Sequence, residues 1–413
     1  MRKSLFSFII IISFIFSAFG QTKIETADYL PYVHKDSINR TMQDLENFTT
    51  RYAPKGNKHV AEYIQQRLVD YGVANTVIDS FYVESTIWFD SWKLFRGYCY
   101  NVRGSIEGTE NPDSIVIIGA HLDAINLVYN PLRGYVLNKE LSPGADDNAS
   151  GVAIMIEMAR IMHQYQLKPQ NRIDLLAFDA EEIGLYGGAY DAKRRITEGD
   201  DVVIMINNDM VSCQPENKDY TINIHWYNNA VPEANHAADM CREYSTITPV
   251  LPQGNDNSSR EASDSWEYAK KGIKSVFFIE YFFTDYYHTK NDLCKNSNFE
   301  YVQEVGKVNF ALLNHYAKFD GYFTGIQTKT KEESFSVYPN PVRKMATVTI
   351  SSEMFDMPYT LQIFDAFGRL CYQTSLTQQY TPIDFSEFSS GLYVVKLIVP
   401  GGHSYTQKII ISN

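Results

Sequence analysis

The sequence lacks a basic block, a CxxC pair and a GxSxG motif. Its 37 Lys and Arg face 49 Asp and Glu, and the net charge of −12 argues against nucleic-acid binding, because phosphate neutralisation needs clustered basic side chains. Five cysteines without a CxxC pair exclude a cysteine zinc ribbon and a thioredoxin-type motif, and an odd number leaves at least one thiol unpaired. One or two disulfides stay possible. Without a GxSxG elbow, a serine hydrolase is disfavoured.

The composition instead favours globular domains. Of the 413 residues, 44% are hydrophobic and 14% are aromatic, which suffices for at least one full core in a chain of two or three domains. The N-terminus has the basic, apolar and small-residue regions of a secretory signal peptide, and we predict cleavage after Gly20. Its apolar run is too short for a comfortable membrane span, although an uncleaved anchor is the alternative. No other stretch is long and apolar enough to span a membrane.

Residues 21–325 have the pattern of an α/β domain. Helical periodicity covers residues 42–72 and 151–164. Four short apolar runs are candidates for buried strands: residues 115–118, 173–178, 202–206 and 275–279. Because strands and helices alternate, we predict a mixed, mostly parallel central sheet with helices on both faces.

The pattern changes after residue 325. Residues 326–334 are polar and charged, as in a linker. The remainder, 335–413, has turn signals between strand-like segments and predicts a small all-β sandwich. Its predicted strands are residues 347–351, 360–364, 392–399 and 405–411.

Acidic and imidazole side chains gather where the apolar runs stop. They are His121 and Asp123, Asp146 and Asp147, Glu181 and Glu182, Asp209, and His288. The carboxyl ends of strands form the binding crevice of open α/β sheets, so these side chains should meet there. They would repel one another unless a cation lies between them, and two His with several carboxylates suit zinc.

These motifs together resemble the M28 family of zinc aminopeptidases over roughly residues 40–320. The resemblance rests on His-Leu-Asp (121–123), Pro-Gly-Ala-Asp-Asp-Asn-Ala-Ser-Gly (143–151), Ala-Glu-Glu-Ile-Gly-Leu (180–185), Asn-Asp-Met-Val (208–211) and Tyr-His-Thr (287–289). It implies two zinc ions: one held by His121 and Asp209, the other by Glu182 and His288, and both bridged by Asp147. It also implies a cis peptide bond between Asp147 and Asn148.

The same resemblance implies the catalytic roles. Glu181 would act as the general base, and Asp123 would accept a hydrogen bond from His121 and fix its tautomer. Tyr287 is a candidate donor to the oxyanion, with a packed aromatic ring as the alternative.

The sequence departs from the family's pattern at two places. Ser263-Asp264-Ser265 stands where many relatives have Ser-Asp-His, and the insertion at 126–141 is longer than in compact relatives and is a candidate for the rim of the site. Three aromatic residues are candidates either for a specificity pocket or for the core: Trp266, Tyr268 and Phe282.

The last 80 or so residues resemble the type A sorting domain of type IX secretion. The resemblance rests on Tyr-Pro-Asn-Pro (338–341), Asp-Ala-Phe-Gly-Arg (365–369), Ser-Gly-Leu-Tyr (390–393) and Lys-Ile-Ile-Ile (408–411). It implies passage through the periplasm, recognition by the type IX machinery, and release outside the cell or at its surface. A carbohydrate- or protein-binding sandwich that stays attached is the alternative.

We therefore expect an exported aminopeptidase that acts on the N-termini of peptides or proteins. A glutaminyl cyclase, which shares the fold but uses one zinc, is the nearest alternative, although relatives of that type tend to have Trp where this chain has Tyr287. A carboxypeptidase or dipeptidase would need a clamp for a terminal carboxylate, and no clear Arg clamp is evident. A non-catalytic binding protein on the same fold is disfavoured because every expected ligand and Glu181 are present.

Overall fold

The computed structural model describes residues 26–132, 134–252, 260–320, 335–338, 340–350, 359–366, 368–376, 380–398 and 404–412. The predicted signal peptide (1–20) and linker (326–334) lie outside these residues. The chain divides into two compact units at residues 323/324. In the described residues, helices that combine the length and the apolar character needed to cross a membrane are absent.

The first unit is built around an eight-stranded mixed sheet. The described strands of this unit are β1 (Asn75–Ile87), β2 (Lys93–Ile106), β3 (Asn111–His121), β4 (Leu127–Asn130), β5 (Gly134–Leu137), β6 (Lys168–Pro169), β7 (Asn171–Phe178), β8 (Asp201–Asn208), β9 (Thr221–Trp226), β10 (Thr248–Val250), β11 (Ser275–Glu280) and β12 (Phe319–Asp320). The strand order of the sheet is β1-β2-β7-β3-β8-β11-β9-β10. The central strands β7, β3, β8 and β11 are parallel to one another, so their carboxyl ends meet at one edge. All four predicted strands are among them.

Helices cover both faces of this sheet. They are α1 (Thr26–Tyr29), α2 (Lys35–Glu46), α3 (Lys58–Asp70), α4 (Gly151–Gln164), α5 (Tyr186–Glu198), α6 (Val231–Tyr244), α7 (Ser265–Ala269) and α8 (Phe299–Ala317). Alternate side chains of β3 point to opposite faces. Val116 and Ile118 pack in the larger core with α2, α3, α4, α6 and α8, whereas Ile115 and Ile117 pack with α5 and α7. The predicted α/β architecture is therefore confirmed.

The helix predicted over residues 42–72 is wrong as a continuous element. It is two helices, α2 and α3, separated by residues 47–57. Thr49 adopts a left-handed backbone, and Pro54 lies in a single 3-10 turn that cannot continue an α-helix. The interruption places the side chain of Arg51 in the interior, beneath the carboxyl edge of the sheet.

The second unit is all-β, as predicted. Its strands are β13 (Phe335–Tyr338), β14 (Met345–Ile350), β15 (Tyr359–Asp365), β16 (Leu370–Leu376), β17 (Tyr380–Asp384), β18 (Gly391–Ile398) and β19 (Ser404–Ile411). They form two antiparallel sheets, β13-β14-β17 and β16-β15-β18-β19, whose inward side chains share one buried cluster. The sequence prediction missed β13, β16 and β17.

All five cysteines are free thiols, so the disulfides allowed by the sequence are not formed. Four of them are buried, and only Cys371 is exposed.

Candidate active site

The predicted site residues lie at the carboxyl ends of the central parallel strands. His121 is the last residue of β3, and Asp209 directly follows β8. Glu181 and Glu182 follow β7, and His288 lies in the segment after β11. Asp147 comes from the segment Ala145–Ser150 that leads into α4. The parallel topology therefore brings residues from distant parts of the chain to one edge of the sheet.

Asp147 lies between the two imidazoles. Its Oδ1 is 3.1 Å from His121 Nε2, and its Oδ2 is 3.1 Å from His288 Nε2. Each imidazole also faces a second carboxylate. His121 Nε2 lies 3.2 Å from Asp209 Oδ1, and His288 Nε2 lies 2.9 Å from Glu182 Oε2. The result is two groups of three ligand atoms that share Asp147, each group within 4.8 Å.

The peptide bond between Asp147 and Asn148 is cis, as the resemblance implies. Left-handed backbone conformations adjoin the site at Ala180, Met210 and His288, none of which is glycine. Such conformations cost free energy for residues with a Cβ and are concentrated at functional sites.

Asp123 contacts His121 and also the two adjacent glutamates. Its main-chain oxygen lies 3.1 Å from His121 Nδ1, closer than its carboxylate oxygen at 3.6 Å. The carboxylate instead accepts the main-chain N–H groups of Glu181 and Glu182, at 3.1 and 3.2 Å. Asp123 thus contacts the predicted ligand His121 mainly through its backbone and orients the two adjacent glutamates through its side chain.

The electrostatics reflect a surplus of buried carboxylates. Burial raises the pKa of Glu181 well above its ordinary value, and the nearby carboxylates of Glu182 and Asp209 add to the effect. Burial and the charge of Asp147 raise the pKa of Glu182 to about 7. For Asp147 burial acts in the same direction, but the attraction of the His121 and His288 imidazoles outweighs it and holds its pKa below the usual range.

The pKa of the His288 imidazole is shifted by the same carboxylates. Burial would lower the pKa of His288, but the carboxylates of Glu182 and Asp147 outweigh it and raise the pKa to about 10. His288 Nε2 is buried and makes no hydrogen bond of good geometry, although two carboxylate oxygens lie within 3.1 Å. A buried imidazole nitrogen without a hydrogen-bond partner that converges with carboxylate oxygens suits a cation. The residues present therefore fit a metal centre.

Several residues that support the site were not singled out from the sequence. Asp292, four residues after His288, accepts the main-chain N–H groups of Asp146 and Asp147 at 2.7 and 3.0 Å. The buried guanidinium of Arg51 donates to the main-chain oxygens of Leu122 and Gly144 at 2.8 and 2.7 Å. The one sequence signal that could have identified Asp292 is its spacing of four residues from His288 along the chain.

Ser263 stands in the stretch that departs from the family's pattern. Its hydroxyl donates to Asp209 Oδ2 at 2.7 Å and accepts from the Asn207 side chain at 2.6 Å. The serine thus orients Asp209. The neighbouring Asp264 is buried and accepts the main-chain N–H of Gly188.

A cavity of about 790 Å³ opens above the site. Tyr287 is on its wall, 41% exposed, with its ring stacked on His288 at 3.6 Å between centroids. Partial burial of Tyr287, together with the carboxylates of the site, raises its pKa. The inserted segment also contributes, because Leu127 of β4 lines the cavity.

The aromatic candidates for the specificity pocket lie elsewhere. Tyr268 is a core residue whose hydroxyl donates to Asp191, and Trp266 stacks on Tyr227. Phe282 is absent from the described cavity lining as well. The cavity wall instead contains Met210, Phe277, Ile279, Tyr281 and Phe283.

Comparison with solved structures places the first unit in a known fold. It is similar to the LapA aminopeptidase of Legionella pneumophila, with a TM-score of 0.56, 21% identity, and coverage of 71% of this chain and 75% of that chain. It is also similar to the glutaminyl cyclase of Porphyromonas gingivalis, with a TM-score of 0.53, 20% identity, and coverage of 68% and 98%. At these identities the likeness concerns the fold.

Sequence relatives are more informative about the family. A probable leucine aminopeptidase of Arthroderma otae is 25% identical over 296 residues, which cover 68% of this chain and 73% of the relative. A probable zinc metalloprotease of Pyrenophora teres f. teres is 27% identical over 282 residues, and there the chain spans only 56% of the relative's length. Residues 336–412 match the model of the secretion system C-terminal sorting domain. Residues 101–313, half of the chain, match the model of peptidase family M28, and the chain therefore belongs to this family of peptidases.

Proposed function

We propose that this peptidase is an exported aminopeptidase that holds two zinc ions and uses Glu181 as its general base. The observation that carries the proposal is the position of Asp147, whose two carboxylate oxygens face two different imidazoles. The relatives named leucine aminopeptidase and zinc metalloprotease support the reaction and the metal.

The ligand assignment follows the two groups of converging atoms. His121 and Asp209 would hold one ion, Glu182 and His288 the other, and Asp147 would bridge them. Two bound zinc ions would supply Lewis-acid polarisation of the scissile carbonyl and a water of lowered pKa. The remaining steps belong to side chains of this chain.

Glu181 is suited to move the proton. It is buried, lines the cavity beside the ligand groups, and is not itself a member of either group. Its raised pKa makes the carboxylate a stronger base, which helps it to accept a proton from water and later return that proton to the leaving amine.

Asp123 has a positioning role in this proposal. Its carboxylate fixes the main chain at both Glu181 and Glu182 and so holds the base and its neighbouring ligand in position. Its main-chain oxygen lies within hydrogen-bonding distance of His121 Nδ1, and a proton held on that nitrogen would leave Nε2 available to a metal.

Tyr287 is proposed as the donor to the oxyanion. The stacking of its ring on His288 keeps the phenol beside the ligand group, and its raised pKa keeps the hydroxyl protonated. A neutral donor aimed at developing negative charge stabilises the transition state more than the substrate.

The charges that line the cavity favour a substrate with a free N-terminus. Six carboxylates line it: Asp147, Glu181, Glu182, Asp209, Glu261 and Glu280. Among the described residues of its wall there is no Lys or Arg. Two bound zinc ions would offset the charges of the ligand carboxylates, which leaves Glu261 to attract a terminal ammonium, whereas the carboxylate of a peptide C-terminus lacks a Lys or Arg partner. An aminopeptidase is therefore favoured over a carboxypeptidase.

The test is to incubate the purified protein and zinc with a short peptide that begins Gln-Leu and to follow the products by mass spectrometry. The proposal predicts stepwise loss of N-terminal residues, abolished in Glu181→Gln. Loss of ammonia alone would establish a glutaminyl cyclase instead. Release of residues from the C-terminus would establish a carboxypeptidase. If neither this peptide nor a wider panel of peptides is cleaved, a binding role would be favoured.

Export is proposed from the two ends of the chain. The N-terminal sequence has the features of a signal peptide, and the sorting-domain match covers residues 336–412. We expect passage through the periplasm and handling by the type IX machinery, with release to the medium or the cell surface. Mass spectrometry of the extracellular protein should find Gln21 as its first residue and the sorting domain removed. A protein retained in the cell would contradict this.

A further inference from the structure

Two apolar walls of different accessibility flank the ligand groups. The inner wall consists of Met210, Phe277 and Ile279, which form a cluster of their own and are at most 9% exposed. The outer wall, defined here as Trp88, Phe89, Ile125, Leu127 and Ile183, reaches the surface, and its Trp88 is 59% exposed. One wall thus ends in the protein interior, and the other opens to solvent.

The outer wall adjoins one ligand group directly. Ile183 follows Glu182 in the chain, and the main-chain N–H of Ile125 lies 3.3 Å from Glu182 Oε1. The main-chain N–H of Leu127 donates to the main-chain oxygen of His288 at 2.7 Å. The inner wall adjoins the other group, because Met210 follows Asp209. The two walls therefore adjoin different ligand groups.

The outer wall is a rigid construction. Phe89, Ile125 and Ile183 belong to one buried cluster, and Leu127 packs against it. Trp88 packs edge-on against Phe89, with ring centroids 5.3 Å apart. The turn that carries both aromatic residues is linked to the segment directly after β5 by an ion pair of Asp90 with Lys139 at 2.7 Å. A surface held in this way loses little conformational entropy on binding.

The two walls match the two sides of a scissile bond. The N-terminal residue of a substrate has no chain before it, so its side chain fits a wall that ends in the interior. The chain after the scissile bond has to leave through the open side. We infer that the outer wall is a subsite for an apolar side chain at the second residue of the peptide, with Trp88 as a specificity-determining residue. The inference rests on the proposed aminopeptidase activity.

The experiment compares three substrates: Leu-Phe-Ser, Leu-Ser-Ser, and leucinamide, which has no second side chain. Burying one aromatic side chain against Trp88 should favour Leu-Phe-Ser over Leu-Ser-Ser by about 10-fold or more in kcat/KM. In Trp88→Ala the ratio of kcat/KM for Leu-Phe-Ser to that for Leu-Ser-Ser should fall about 5-fold, while kcat/KM for leucinamide stays the same.

Trp92→Ala is the matched control. Trp92 is on the same turn and 74% exposed, but it is not part of the cavity wall, so this variant should keep the wild-type ratio. An unchanged ratio in Trp88→Ala would overturn the inference, and so would an equal loss on all three substrates. Failure of the wild type to release leucine from any of them would instead overturn the proposed function.

Discussion

The carboxylate of Asp292 accepts a hydrogen bond from the main-chain N–H of Asp147 at 3.0 Å. Its other oxygen accepts the N–H of Asp146 at 2.7 Å, so both bonds fix the backbone that presents the bridging carboxylate to the two imidazoles. Asp292 is not itself one of the ligands in either group. The position of the central ligand thus depends on a residue far from it in the sequence.

Replacing Asp292 by Asn should weaken zinc binding. The amide keeps the size of the side chain but presents an NH2 group to one of two N–H donors, so one hydrogen bond is lost. We expect zinc affinity to fall by about 10–100-fold, measured by competition with a chelator. Asp285→Asn, at an exposed position of the same segment, is the control and should bind zinc as the wild type does. Unchanged affinity in Asp292→Asn would contradict the positioning role.

Replacing Ser263 by Ala should affect the site through Asp209. The change removes the donor to Asp209 Oδ2 and leaves the buried Asn207 side chain without that acceptor, which costs about 1–3 kcal/mol of the free energy of unfolding. Zinc affinity should fall by about 10-fold. The control is Ser275→Ala, which removes a buried hydroxyl bond to the main-chain oxygen of Ile273, away from the site. It should lower stability without changing zinc affinity, and equal zinc affinities in the two variants would refute the assignment.

Replacing Tyr287 by Phe tests the oxyanion donor. The ring and its stacking on His288 are kept, and only the hydroxyl is lost. We expect kcat to fall by about 100-fold with KM and zinc content nearly unchanged, since the bond forms only in the transition state. Tyr286→Phe, one residue away and outside the cavity lining, should retain full activity. If Tyr287→Phe keeps the wild-type kcat, Tyr287 is a packed aromatic residue and no more.

Removal of zinc should destabilise the protein, and increasingly so at higher pH. A ligand at about 100 times its Kd contributes about 2.7 kcal/mol, so chelation should lower Tm by about 5–10 °C. Asp179 directly follows β7, and burial and the charge of Asp123 raise its pKa to about 8. In the metal-free protein the pKa values of Glu182 (about 7) and His288 (about 10) also lie above their ordinary values. Across these intervals the folded state binds more protons than the unfolded state, so its stability falls as pH rises.

The measurement is Tm with and without chelator from about pH 5 to about pH 9. The metal-free protein should lose Tm across this range, and the difference from the zinc-loaded protein should widen. A metal-free Tm that rises with pH would show that these groups are not held together as the structure has them.

In the first unit, strands were predictable where their residues are buried on both faces of the sheet. The four apolar runs are strands because a parallel sheet covered on both faces needs side chains that are apolar on both. The long β1–β2 hairpin was missed because its outer part alternates buried and exposed residues, such as Val83 and Glu84, and carries no continuous apolar run. β16 was missed for the same reason, since few of its residues are buried, whereas β13 and β17 are short, with four and five residues.

The ligand residues of the candidate site were predictable from the sequence, but the residues that hold them in position were not. The ligands lie in short motifs at strand ends or before a helix, so His121 and Asp147 stand out in the sequence. Arg51 and Asp292 do not, because they act through hydrogen bonds to main-chain groups, and any segment has such groups. The role of the Asp123 carboxylate differs from the expected one for the same reason, as it accepts main-chain N–H groups rather than serving mainly His121. The outer wall with Trp88 depends on tertiary contacts between three separate segments.

The adjacent glutamates offer the most direct test of the central claim. Glu181→Gln and Glu182→Gln should both lower the rate of N-terminal residue release, the first by about 100–10,000-fold. The two variants should differ in zinc content, measured by atomic emission on dialysed protein. The account predicts two zinc ions per chain in the wild type and in Glu181→Gln, and fewer in Glu182→Gln. Loss of zinc from Glu181→Gln, or full activity in that variant, would contradict the assignment of Glu181 as the base.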